Sequence, residues 1–346
     1  MIQTVLGPIP ATELGVTLPH EHFFCGSTSA NLAEPLDPRD KVLAQQPVSL
    51  EIRDWLEYNW HCNRDNLVLN DEATAIAEAM RYRQAGGRSI IDPTSGGIGR
   101  NPQGLARISK ATGLHIVIGC GYYVEATHPP SVAKMTQADI TNEIIDQFAN
   151  GLDGTGIKPG LIGEVGCSWP LTATEEKSLR ASAAAQKVLG AAMEIHPGKH
   201  PDSLAQIVKI LQSTEVDMRR VILCHVDRTL QDVRKLVELL KTGCTVEYDL
   251  FSVETTGNYY RSVGITMLSD AQRLDHLRAM MDAGFVNQLL IAGDISFKHR
   301  LHKYGGQGYD HILVNTIPWM RQRGFTQAEI DALMIHNSRR MFDLPE

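Results

Sequence analysis

Apolar positions along this chain change their period in a regular way. Leu204, Ile207, Val208 and Leu211 fall at i, i+3, i+4 and i+7, and Val233, Leu236, Val237 and Leu240 repeat the spacing. Each set draws one apolar stripe along a helix that can lie on a sheet. Helices are also predicted over 51–60, 72–84, 103–112 and 138–149. Another starts where Thr172 and Glu175 form a capping box and ends at Gly190. Between these segments stand short apolar runs suited to buried strands, at 89–92, 115–120, 161–164, 191–196, 221–225, 244–249 and 289–294. The run 14–18, leading into Thr17-Leu18-Pro19-His20-Glu21-His22, supplies the first strand of the series.

Eight candidate strands, nearly all separated by helical segments and without a break in composition, predict a closed parallel (β/α)8 barrel. One domain over 1–346 is expected rather than two. A doubly wound sheet is the alternative, but it would bind its ligand at a switch point with a Gly-rich turn. Gly96-Gly97-Ile98-Gly99 fits that pattern poorly and reads as a loop after the second strand. The segment 25–50, rich in Pro, Asn, Ser and Asp, reads as a long loop or lid over one end.

Composition narrows the partners. The chain is 43% hydrophobic and 21% charged, as globular proteins are, and its 33 Lys and Arg against 40 Asp and Glu give a formal charge of -7. That balance argues against a general nucleic-acid or anionic-membrane surface and favours a small solute. No leader-like or membrane-spanning run occurs, and the six cysteines form no CxxC pair; both features point to a reducing, cytoplasmic setting.

The chemistry gathers at the expected strand ends. Residues i and i+2 of a strand share a side, so His20 and His22 can grip one metal ion while Glu21 faces away; alone, they read equally well as two strand histidines. Barrel active sites lie at the carboxyl ends of strands, and there the chain places His22, Glu164, His196, His225 and Asp294. Glu164 and His196 are 32 residues apart, His196 and His225 are 29 apart, and the 69 residues to Asp294 accommodate two strand and helix units. Structural capping explains any one of these positions but not the set. Four histidines and two carboxylates exceed one tetrahedral site, so two divalent ions sharing Glu164 are expected. His20, His22 and Asp294 go to the first, and His196 and His225 to the second. Zinc suits these donors, with manganese, iron and cobalt left open. Asp227 and Asp249 are candidates to orient ligand histidines. His115 and His336 read as structural, and His299, His302 and His311 flank a glycine-bearing loop placed to close over the pocket.

The elements TLPHEH, IGEVGCSWPLT, EIHPG, CHVDRT, VEYDLF, AGDI and KYGGQGYDHIL resemble the phosphotriesterase-related proteins of the amidohydrolase superfamily, over essentially the whole chain. The resemblance implies a metal-dependent hydrolase on a distorted TIM barrel. Its pattern puts His20, His22, Glu164 and Asp294 on the more buried metal, and Glu164, His196 and His225 on the more exposed one. True phosphotriesterases carry a carboxylated lysine where this chain has Glu164; Lys158 lies too far before the strand end to substitute. The glutamate-bridged animal branch implies an amidase releasing taurine and acetate from N-acetyltaurine and related N-acyl compounds. Lactone opening and phosphoester cleavage are the alternatives, and a non-catalytic, metal-stabilised binding protein is the reading from another class. Asp294 is the expected catalytic proton shuttle. The acidic end of the substrate needs a cationic anchor, for which Lys199, His200, Arg228 and Arg261 are candidates. Tyr123 aligns with a pocket tyrosine of related lactonases and is placed to donate to the carbonyl oxygen. Relatives are commonly dimers, so a homodimer is an open expectation.

Overall fold

The computed structural model describes residues 1–345. Eight parallel strands form one sheet: β1 (Thr17–Leu18), β2 (Ser89–Asp92), β3 (His115–Cys120), β4 (Leu161–Gly166), β5 (Ala192–His196), β6 (Val221–Leu223), β7 (Thr245–Tyr248) and β8 (Leu289–Ile291). Each pairs with its neighbours in chain order, giving a nearly closed (β/α)8 barrel. The crossovers are α1 (Glu72–Gln84), α2 (Pro102–Thr112), α3 (Gln137–Asn150), α4 (Ala173–Leu189), α5 (Pro201–Gln212), α6 (Val233–Leu240) and α7 (Asp270–Asp282).

Local chemistry sets these limits. Asp71 caps α1 by accepting from the Ala73 and Thr74 N–H groups. The Thr172 and Glu175 capping box opens α4, and Gly190 closes it in the left-handed conformation at φ 62°. On α5 the stripe of Leu204, Ile207, Val208 and Leu211 is buried as the spacing requires. Each such side chain contributes about 1.5–3 kcal/mol relative to an exposed one.

Strand pleating divides the core in two. Ile91, Val117, Leu161, Ala192, Ile222 and Leu290 fill the barrel interior with Ile2, Met341 and Phe342. Their immediate chain neighbours Ile90, Ile116, Ile162, Met193, Leu223 and Leu289 pack outward among the helices. Adjacent residues therefore serve opposite faces, which requires apolar side chains at consecutive positions.

Three strands are shorter than the hydrophobic runs predict. β1 stops at Leu18 because Pro19 has no N–H to continue a ladder, so His20 and His22 lie beyond the strand. β6 and β8 end before His225 and Asp294, whose φ values of 51° and 45° are incompatible with extended backbone. The segment 25–50 also holds more structure than a loop: Cys25–Gly26 pairs with Val68–Leu69, and short helices cover Thr28–Asn31 and Lys41–Gln45. All six cysteines are buried and unpaired. Among the described residues no helix is long and apolar enough to cross a membrane.

Candidate active site

At the carboxyl ends of the strands six side chains from five barrel segments converge: Glu164 and His196 are still on β4 and β5, and His20, His22, His225 and Asp294 lie just beyond β1, β6 and β8. His22 Nε2 lies 3.3 Å from Asp294 Oδ1, and His20 Nε2 lies 3.7 Å from the same oxygen and 3.9 Å from Glu164 Oε2. Donors sharing one tetrahedral ion stand about 3.3 Å apart, given bonds of roughly 2.0–2.1 Å, so this group has nearly the required spacing. His20 Nε2 is buried without a hydrogen-bond partner, the state expected of a ring nitrogen reserved for a metal. On the other side, Glu164 Oε1 lies 2.5 Å from His196 Nδ1 and 2.8 Å from His225 Nε2. These three form a tighter group that would spread to admit an ion between them. All of these side chains are buried except Asp294, which is partly exposed, and the clusters fit a binuclear metal site.

The nitrogens on the far sides of the rings are tied down. Asp249 accepts from His225 twice, at the backbone N–H and at Nδ1, both at 2.8 Å. Thr94 Oγ1 lies 2.7 Å from His22 Nδ1. His20 Nδ1 faces Glu194 Oε1 at 2.6 Å and Glu247 Oε2 at 3.2 Å. Such partners fix which ring nitrogen points into the site.

Electrostatics follow from this crowding. Burial alone would raise the Asp294 and Glu164 carboxyls, but the histidines around them win: Asp294 is held at about 2 and Glu164 well below the usual carboxylate range. Burial opposes charge on His225, yet Asp249 pushes it up to about 9. Glu247 is pushed up to about 7 by burial first and by Glu194 second.

The site opens into a small cleft. One side is polar: Tyr123, whose hydroxyl lies 3.2 Å from the His196 ring nitrogens, with Lys199 and Arg228. Arg228 Nη2 reaches His196 Nε2 at 3.2 Å, while its Nη1 is buried without a partner. Lys199 Nζ sits 4.9 Å from the Tyr259 ring centroid; burial first and Arg228 second hold the amine down at about 7. Trp60, Ile98, Tyr260 and Phe297 supply apolar lining.

Two expected anchors do not reach this cleft. His200 stacks on Trp169 at 4.5 Å and caps α5 by accepting from the Asp202 N–H, so its ring is used outside. Arg261 lies over the Tyr58 ring at the surface. His299, His302 and His311 are likewise occupied elsewhere, by Asn66, Asp310 and Asp270. Of the two aspartates expected to orient histidines, Asp249 does so, whereas Asp227 pairs with Arg273 at 2.7 Å. Glu194, Glu247 and Thr94 were not anticipated. A signal existed for Glu194, since Ala192, Glu194 and His196 alternate on β5 and must share the barrel interior.

The sequence pattern of the Phosphotriesterase family matches residues 1–342. An N-acetyltaurine hydrolase of Salmo salar is 42% identical over 340 residues, spanning 98% of this chain and 97% of that protein. A phosphotriesterase-related protein of Nematostella vectensis is 41% identical over 341 residues, spanning 98% and 97%. The crystal structure of a resiniferatoxin-binding protein from Rhodobacter sphaeroides shares the fold with a TM-score of 0.94 at 35% identity, over 99% of this chain and 94% of that one. With a barrel matched along nearly its full length, and buried clusters suited to two divalent ions at its mouth, this chain belongs to the phosphotriesterase family as a metal-dependent hydrolase.

Proposed function

We propose that the chain is an amidase that cleaves N-acetyltaurine and related anionic N-acyl amino compounds, with zinc in both metal positions. The observation that carries this reading is the unpartnered, buried Nη1 of Arg228, a residue that lines the cleft together with Lys199 and the acid and histidine clusters. A buried cationic donor without an acceptor is matched by a substrate that brings a sulfonate or carboxylate. Relatives named as N-acetyltaurine hydrolases, at 42% identity in Salmo salar, support the same chemistry.

In this reading His20, His22 and Asp294 would hold one ion, His196 and His225 the other, and Glu164 would serve both. When bound, the two ions supply hydroxide near neutral pH and polarise the scissile carbonyl. Asp294, held at about 2, is ionised at neutral pH. Ionised, it is available to take the proton given up as water attacks the amide carbon and to deliver it to the departing nitrogen. A C–O bond forms, the C–N bond breaks, and the second proton of the water passes from the new carboxylic acid to the amine, so the products are a carboxylate and an ammonium. Tyr123 donates its hydroxyl to the carbonyl oxygen, and Arg228 and Lys199 hold the anionic end of the leaving group.

The test is metal depletion and zinc reconstitution, with acetate release from N-acetyltaurine measured beside hydrolysis of an acyl lactone and a phosphotriester. Zinc-dependent acetate release with a kcat/KM above that of the other two supports the reading. A loaded protein that prefers the lactone or the phosphotriester, or hydrolyses none of the three, refutes it.

A further inference from the structure

Asp294 is a side-chain-bearing residue at φ 45°, a backbone conformation that L-residues adopt only when their surroundings enforce it. The backbone around it is fully engaged. The Gly293 N–H donates to Glu21 Oε1 at 2.7 Å and the Ile295 N–H to Glu21 Oε2 at 2.8 Å. Arg300 Nη2 donates to the Gly293 carbonyl at 2.8 Å, and Nη1 to the Asp294 carbonyl at 3.4 Å. The Asp294 N–H itself donates to the His20 carbonyl at 3.2 Å. Every polar backbone group from the Gly293 nitrogen to the Ile295 nitrogen thus has a partner, and two buried side chains, the Glu21 carboxyl and the Arg300 guanidinium, supply four of the five. Arg300 is anchored in turn by the Phe251 carbonyl and Ser252 Oγ, both at 3.0 Å, which ties the clamp to the loop after β7.

We infer that Glu21 and Arg300 are positioning residues that lock the left-handed backbone of Asp294 and so aim its carboxylate at His20 and His22. Glu21 faces away from the two histidines that flank it, but into the protein. There it closes the seam where β8 meets β1, which have no ladder between them. The tripeptide His20-Glu21-His22 therefore supplies two imidazoles to the cluster and, through its middle residue, grips the backbone of the acid opposite them. Gly293 is part of the device: a Cβ there would stand 2.8 Å from Glu21 Oε1. This inference rests on the proposed role of Asp294 at the metal site.

The experiment titrates cobalt(II) into metal-depleted wild type, Glu21→Gln, Arg300→Met, Gly293→Ala, Asp294→Asn and the double variant Glu21→Gln/Asp294→Asn. Visible absorption is followed, and thermal unfolding without metal is recorded on the same samples. Gln offers one oxygen to two N–H groups and turns its own NH2 on the other. Glu21→Gln and Arg300→Met are expected to weaken cobalt binding about 10–100-fold, as loss of an orienting partner does, and to change the absorption bands. In the zinc enzyme kcat falls while KM for N-acetyltaurine holds. Adding Glu21→Gln to Asp294→Asn costs no further affinity, because the clamp acts only through that carboxylate. Gly293→Ala keeps both charges and displaces the Glu21 carboxylate, so it decides the matter if a charge variant fails to fold. Wild-type cobalt affinity and bands in the clamp variants, or losses that multiply in the double variant, overturn the inference. An Asp294→Asn protein that binds cobalt as wild type does overturns it together with the role given to Asp294. Expected cobalt behaviour without hydrolysis of N-acetyltaurine overturns the substrate reading alone and leaves the clamp supported.

Discussion

Replacing Asp249 by Asn should impair the metal site by changing a tautomer rather than a shape. Asp249 accepts at both oxygens, from the backbone N–H of His225 and from its Nδ1. When the ring gives up one proton to a metal, Nδ1 therefore keeps its own, and Nε2, which faces Glu164 and His196 at 2.8 Å, is the nitrogen left with a lone pair. Asn has one acceptor. Its oxygen must stay on the backbone N–H, a buried donor with no other partner, so its NH2 turns toward Nδ1. His225 then accepts there and protonates Nε2, the nitrogen required for the metal. Loss of such an orienting partner costs about 10–100-fold in affinity, or roughly 1.4–2.8 kcal/mol. The metal-free fold keeps its packing and both hydrogen bonds, so its urea midpoint should move little. The assay is zinc competition against a chromophoric chelator, with long-range ¹H–¹⁵N spectra reading the His225 tautomer in the metal-free protein above about pH 9, where the ring is neutral. Asp249→Ala is the control: with no NH2 to enforce the wrong tautomer, it should bind zinc at least as well as the isosteric Asn variant. Wild-type zinc affinity in Asp249→Asn, or an unchanged Nδ1–H tautomer, would refute the reasoning.

Other consequences follow from the same geometry. Lys199 is charged below about 7 and neutral above it, so kcat/KM for a sulfonate substrate should fall as pH rises through that value; the pH profile of Lys199→Met should lack this limb. Arg273 is fully buried and pairs with Asp227 at 2.7 Å and Asp270 at 2.8 Å. Arg273→Met leaves the buried Asp227 carboxylate uncompensated and should cost about 3–5 kcal/mol in urea unfolding at pH 8, and a loss under about 1 kcal/mol would contradict that account. Zinc at a hundred times its Kd should stabilise the protein by about 2.7 kcal/mol, read as a rise in unfolding midpoint that a chelator reverses; a midpoint indifferent to zinc would show that the clusters hold no ion.

Much of this protein can be read from its linear chain. Helix stripes such as Leu204 to Leu211, cap signals such as Thr172 with Glu175, and apolar runs at the strands are local, so period and spacing predict the barrel. His22, Glu164, His196, His225 and Asp294 were legible because the barrel puts every strand end at one mouth, and the fold's own period spaced them. Only the tertiary structure decided which charged side chains share that mouth. Lys199 and Arg228 face the cleft, while His200 and Arg261, equally good candidates by position, are drawn to Trp169 and Tyr58. The same holds for Glu21 and Arg300, whose four donors and acceptors around Asp294 lie on a seam between the first and last strands. A side chain's sequence neighbours fix which way its strand points it, but its partners come from segments hundreds of residues away, brought into reach only when the barrel closes.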